Sequence, residues 1–280
     1  MIYKKYSMTF TDKDSYITNP NQPRSLLSKV FLRWTYMFYP QWMWHVCLHG
    51  RRAAKHFYSG ADWTEGSLAI MRSLENVGVN FEIEGMGNIR SFDGPAVFVG
   101  NHMSALETFV LPCIIQPLKP VTFVVKKSLI DTPVFKHIMR SRDPITVGRT
   151  NPREDLKAVM DEGMKKLQTG VSIVIFPQST RSVVFNPEEF NTLGVKLASR
   201  AGVPVVPFAL KTDAWGIGKY IKDIGPVDKN KKVYFSFGRP VKVEGRGTAE
   251  HAEIVRFIQD RLQEWGKEER ISKTEREKVT

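Results

Sequence analysis

The chain has 280 residues, 42% of them hydrophobic, which is enough for a substantial core and excludes global disorder. Its formal net charge of +12 and pI of about 9.6 favour anionic partners (nucleic acid, phosphorylated metabolites or an anionic membrane) without choosing among them. The two cysteines, Cys47 and Cys113, lie in apolar surroundings without CxxC spacing, which argues against a disulfide framework or a zinc site and for a reducing compartment.

Residues 1–25 are polar, contain Pro20 and Pro23, lack the apolar core of a signal peptide and read as a loose arm. Residues 26–60 read as a membrane-associating helical segment. Seven aromatics, Phe31, Trp34, Tyr36, Phe38, Tyr39, Trp42 and Trp44, crowd the run from Phe31 to Trp44, and no Lys, Arg, Asp or Glu occurs from Trp34 to Gly50. The apolar stretch is shorter than the roughly 20 residues of a spanning helix. Pro40 and Gln41 interrupt it, and Lys29, Arg33, Arg51, Arg52 and Lys55 flank it. Trp and Tyr favour the headgroup zone, so a broken helical hairpin lying in one leaflet is expected. The competing reading is that the aromatics pack on the domain core.

Residues 61–266 alternate helices and strands, and 267–280 form a charged tail. SLAIMRSLENVG reads as a helix ending at Gly78; VNFEIEG, AVFVGN, TFVVK and ITVG read as strands. PREDLKAVMDEGMKKLQTG is the clearest helix, with Leu156, Val159, Met160, Met164 and Leu167 on one face and Gly170 at its end. VSIVIFPQ is an apolar strand running into polar residues. VKLASRAG is a short helix, VPVVPFAL and KVYFSFG are strands, and Ile254, Ile258, Leu262 and Trp265 mark a last helix. This order predicts an α/β fold with helices flanking a central sheet.

NHMSALET follows the strand AVFVG. Imidazole suits proton transfer near neutral pH, and a carboxylate can hold its tautomer. Five positions on a regular helix turn through about 140° beyond a full circle, so His102 and Glu107 meet only if His102 lies in the turn before the helix. An N-cap at Ser104 gives that geometry. The same residues also form a capping box, Ser104 to Glu107, with no catalytic meaning. Further along, FPQSTRS places Thr180, Arg181 and Ser182 at a strand end, Arg149 ends ITVGR, and Lys126 and Lys127 end FVVKK. Together with His102 these suggest one anion-binding face at the strand ends.

The set resembles the glycerolipid acyltransferase family, whose members include the lysophosphatidate acyltransferases. NHMSALE is similar to NHxSxxD, with Glu107 in the place of the aspartate. ITVGRT at Arg149, FPQSTRS, VPVVPFAL and the lysine stretch VVKKSL at Lys126 match the other motifs in order, over roughly residues 65–240. Gln178 and Ser179 replace a glutamate and a glycine of the family pattern, which bears on the identity of the acceptor. The resemblance implies a central mixed sheet. It also implies acyl transfer from acyl-CoA or acyl carrier protein to a lysophospholipid hydroxyl, with 1-acylglycerol-3-phosphate giving phosphatidic acid. His102 would be the base and Glu107 its orienting partner; Lys126, Arg149, Gln178, Ser179, Thr180 and Arg181 would hold the acceptor, Arg181 gripping its phosphate. No metal or cofactor is implied. The expected setting is the cytoplasmic face of an anionic membrane. Other lysolipid or aminolipid acceptors stay open, as does a lipid-binding protein without activity. VPVVPFAL reads as core or as acyl-chain lining. No complete dinucleotide fingerprint, Walker motif or GxSxG is found. The aromatics cluster where charge is absent, which counts against nucleic acid.

Overall fold

The computed structural model describes residues 11–19, 35–133, 135–178 and 180–279. Phe31, Trp34 and Ser179 therefore lie outside the described residues. The first strand, β1 (Tyr16–Ile17), is followed by helices α1 (Phe38–Lys55) and α2 (Gly60–Asn76), strand β2 (Phe81–Glu84) and a short α3 (Met86–Arg90). Next come β3 (Val97–Gly100), α4 (Leu106–Ile115), β4 (Val121–Lys126), α5 (Lys127–Ile130), α6 (Lys136–Ser141) and β5 (Ile145–Val147). The chain ends with α7 (Pro152–Gln168), β6 (Ser172–Ile175), α8 (Leu193–Ala201), β7 (Val205–Lys211), β8 (Val233–Phe237) and α9 (Thr248–Val279). The last helix continues through the charged tail.

Among the described residues, eight strands form one mixed sheet in the order β1-β2-β8-β7-β3-β6-β4-β5. Strands β7, β3, β6, β4 and β5 run parallel as neighbours, while β8 is antiparallel to β7. The central strands read as unbroken apolar runs because both faces of the sheet are covered. The pleat sends Val97, Val99, Ile173 and Ile175 to one core with α7, α8 and α9. Phe98, Val174, Val206 and Phe208 go to the other core with α1, α2 and α4. The expected buried face of α7 holds for Val159 and Leu167, but Leu156 is exposed, one turn nearer the helix's solvated start.

The aromatic segment departs from the expected hairpin. Its described part is one continuous helix, because Pro40 falls in the first turn of α1, where no helical N–H is required of it. Phe38, Trp42, Val46 and His49 recur at helical spacing and are buried. Phe38 meets Trp215 edge-on at 4.7 Å between centroids, and Trp42 meets Phe109 at 5.7 Å. Core packing therefore takes this face, while Tyr36 and Trp44 remain exposed. No helix among the described residues is long and apolar enough to cross a membrane.

A serine of α2 locks α4 in place. Pro112 lies inside α4 and lacks an N–H. The Ser67 hydroxyl inserts beside it, donating to the Phe109 carbonyl at 2.5 Å and accepting from the Cys113 amide at 2.9 Å. Ser67→Ala removes both bonds from a buried helix–helix contact. It should cost about 0.5–1.5 kcal/mol, readable as a lower denaturation midpoint in urea.

Candidate active site

Strand β3 delivers the turn that carries His102. Gly100 is required there because a Cβ would sit 2.5 Å from the Phe208 carbonyl oxygen of β7. The next residue, Asn101, extends the pairing with its side chain. Its amide donates to the Leu210 carbonyl at 2.8 Å and accepts from the Leu210 N–H at 2.9 Å. The backbone of His102 is then held by the loop after β6. His102 N–H donates to Gln178 Oε1 at 2.7 Å, and Ser182 N–H donates to the His102 carbonyl at 2.9 Å. The imidazole stacks on Phe176, with centroids 4.3 Å and planes 19° apart.

Glu107 lies in the first turn of α4 and is wholly buried. Among the described residues its carboxylate receives five hydrogen bonds. Oε1 takes His102 Nδ1 at 2.9 Å, Met103 N–H at 2.6 Å and Ser104 N–H at 2.8 Å. Oε2 takes the hydroxyls of Ser104 at 3.0 Å and Thr212 at 2.6 Å. Burial alone would push this carboxyl's pKa up, but the bonds from His102, Thr212 and the backbone outweigh it and hold it below its ordinary value. An ionised carboxylate only accepts, so Nδ1 carries a hydrogen, and in the neutral imidazole the lone pair then lies on Nε2. Among the described residues nothing hydrogen-bonds Nε2, and the His102 side chain keeps 14% of its surface open.

A His–Glu pair and a capping contact coexist here, because one carboxylate oxygen makes both bonds. Glu107 reaches back to the Ser104 amide as a capping box requires. The serine half differs: the helix starts at Leu106, and Ser104 Oγ accepts from Leu106 N–H at 3.1 Å. Ser104 is thereby left to donate to Glu107.

The parallel order of the strands sets out the remaining residues along one edge of the sheet. The carboxyl ends of β7, β3, β6, β4 and β5 lie side by side, bringing Thr212, His102, the Phe176–Arg181 loop, Lys126 and Arg149 to that edge in turn. Arg149 stands three strands from His102, about 14 Å at ~4.8 Å per strand. It occupies the left-handed region at φ 59°, held by Asp155, which accepts from the amides of Gly148 and Arg149. Lys126 and Thr180 are exposed. Gln178 is buried and spends its oxygen on the His102 backbone. Arg181 Nη1 donates to Asp223 Oδ1 at 2.5 Å, an ion pair with a loop between β7 and β8.

Three participants escaped the motif reading. Thr212 was signalled only by a polar residue ending an apolar strand. Phe176 stood inside FPQSTRS without a role. Asp223 carried no signal. If Arg181 grips the acceptor phosphate as the resemblance implies, the phosphate competes with Asp223 for it. Asp223→Asn should therefore lower KM for a phosphate-bearing acceptor by up to about fivefold, the range of a partly exposed pair, at unchanged kcat. A raised KM would instead make Asp223 the residue that aims Arg181.

Comparison with known proteins agrees with this geometry. Residues 80–211 match the Acyltransferase family model, a span that includes His102, Glu107, Lys126, Arg149 and Arg181. That span is an acyltransferase domain of the glycerolipid acyltransferase kind. The 1-acyl-sn-glycerol-3-phosphate acyltransferase of Pseudomonas aeruginosa is 28% identical over 201 residues, 72% of this chain and 74% of that protein. The chloroplastic 1-acyl-sn-glycerol-3-phosphate acyltransferase BAT2 of Brassica napus is 31% identical over 129 residues, 46% of this chain and 36% of that protein. The fold is similar to the crystal structure of the 1-acyl-sn-glycerophosphate (LPA) acyltransferase PlsC from Thermotoga maritima. The TM-score is 0.61 at 21% identity, covering 82% of this chain and 93% of that one. In this acyltransferase the mixed sheet expected from the family is present, and the edge bearing His102 is where such folds place ligands.

Proposed function

We propose that the chain transfers a fatty acyl group from a thioester, acyl-CoA or acyl carrier protein, to the free hydroxyl of 1-acylglycerol-3-phosphate. The observation that carries this reading is His102, with Nδ1 tied to a buried Glu107, Nε2 without a hydrogen-bond partner among the described residues, and its main chain bonded to Ser182, the neighbour of Arg181. Nε2 takes the hydroxyl proton as the oxygen attacks the thioester carbonyl. The tetrahedral intermediate then expels the thiolate, which receives that proton from His102. Glu107 stabilises the imidazolium between the two steps. The buried Cys113 has its thiol pKa pushed up to about 12 by burial, which suits direct transfer without an acyl-enzyme on that residue.

Arg181 and Lys126 bind the acceptor phosphate on this reading, with Thr180 next to Arg181 in the same loop and Arg149 at the outer end. Positioning of the hydroxyl supplies much of the acceleration. Gln178 accepts from His102 N–H, a bond that a glutamate oxygen could make equally well, so the departure from the family pattern leaves the base in place. The reading calls on no metal or bound cofactor, since His102 both takes the proton and returns it to the leaving thiolate. It places the chain at the cytoplasmic face of an anionic membrane, where the acceptor resides.

The test is a panel. Purified protein is given labelled acyl-CoA or acyl carrier protein with lysophosphatidate and with other lysolipids, and diacyl products are separated. Phosphatidic acid as the dominant product supports the reading. Transfer only to another lysolipid keeps the chemistry and moves the acceptor. No transfer from folded protein contradicts it.

A further inference from the structure

The loops bearing Arg181 and Asp223 share a second feature. Val183, Val184, Ile217, Tyr220, Ile221 and Ile224 are all exposed, Tyr220 by 90% and Val184 by 75%. Single exposed apolar residues are ordinary, but six on two loops joined by one ion pair are a patch. The patch is built rather than frayed. Gly218 N–H donates to the Lys222 carbonyl at 3.2 Å and Ile224 N–H to the Ile221 carbonyl at 2.9 Å. A Cβ on Gly218 would lie 2.1 Å from two carbonyl oxygens, so the tip is wound as tightly as glycine allows. At its base Trp215 is buried, Gly216 N–H donates to the Pro226 carbonyl at 2.9 Å, and the Tyr39 hydroxyl of α1 donates to the Gly225 carbonyl.

The charge on the tip points to an occupant. Lys219 and Lys222 flank Tyr220 and Ile221, are exposed and form no ion pair among the described residues. Asp223, the acid beside them, is engaged by Arg181. An apolar tip between cations, in a chain of net charge +12, complements an anionic bilayer surface. The patch is also short-wired to the base, because Ser182, between Arg181 and Val183, donates to the His102 carbonyl.

We propose that the Val183–Val184 and Ile217–Ile224 tips form a docking surface for an anionic phospholipid leaflet, set on the Arg181 side of the active site. Its purpose, delivery of the acceptor headgroup to Arg181, rests on the acyl-transfer reading above; its existence does not. It is separate from the aromatic face of α1, which packs inward on Trp215.

Vesicle flotation of the full chain tests it. The vesicles are phosphatidylcholine alone, or phosphatidylcholine with phosphatidylglycerol. Tyr220→Ser/Ile221→Ser should lower partitioning by about tenfold through lost apolar burial. Lys219→Gln/Lys222→Gln should lower binding to the anionic vesicles alone, by about fivefold per lysine. Both variants should keep wild-type transfer to a short-chain acceptor dissolved as monomer and lose transfer to one embedded in vesicles. Wild-type partitioning by Tyr220→Ser/Ile221→Ser would overturn the proposal. So would unchanged vesicle binding with activity lost only when an acyl carrier protein is the donor, which would assign the patch to a protein. Reduced partitioning in a chain that acylates no acceptor would uphold the surface and remove the enzymatic reading.

Discussion

Glu107→Gln yields a folded protein whose turnover is lower by about a thousandfold, within the range of general-base catalysis and its orienting partners. Folding survives because the glutamine oxygen can still accept from His102 and from the amides of Met103 and Ser104 at the Oε1 position. Its NH2 then faces the hydroxyls of Ser104 and Thr212, which can rotate from donor to acceptor. What disappears is the negative charge that stabilises the imidazolium once His102 has taken its proton. The same variant should alter acid stability. Glu107 is held below its ordinary value of 4.5 in the folded chain. Its contribution is therefore complete above that ordinary value and is lost as pH falls through the lower folded-state value. Urea midpoints of wild type and Glu107→Gln should converge across that acid window and separate above it. Parallel midpoints at every pH, or turnover near that of wild type, would remove the role given to the charge.

Local pattern carried the reading a long way. AVFVGN became β3, the capping glutamate appeared in the first turn of α4, and the cationic strand ends share one edge. These follow from short-range rules, apolar runs between polar ends and a polar N-terminus before an apolar helix. The misses are long-range. Thr212 reaches Glu107 across 105 residues, through a pairing of β7 with β3 that local pattern does not determine. Asp223 meets Arg181 only because a loop folds back over the strand ends. Composition also hid the facing of α1: counting aromatics suggested a membrane segment, whereas the spacing of Phe38, Trp42 and Val46 buries them on the core. Gln178 was read as a contact to the acceptor because it stands where the family pattern has a glutamate; in the fold its side-chain oxygen accepts from the backbone of His102.

The larger effect belongs to the base itself. His102→Ala removes the proton acceptor and the group through which Glu107 acts, while the main chain at this position stays held by Gln178 and Ser182. The fold should persist, although Glu107 loses one of its five donors. Turnover should fall by about three to four orders of magnitude, since general-base assistance and its electrostatic support go together. Affinity for the acceptor, which the proposed function assigns to Arg181 and Lys126, should change little. The measurement is transfer of a labelled acyl group to lysophosphatidate by wild type and His102→Ala, both verified as folded. Phosphatidic acid formed by the wild type and reduced to near background in the variant is the predicted result. Product formed by His102→Ala at a rate within a few-fold of wild type would contradict a mechanism built on this histidine.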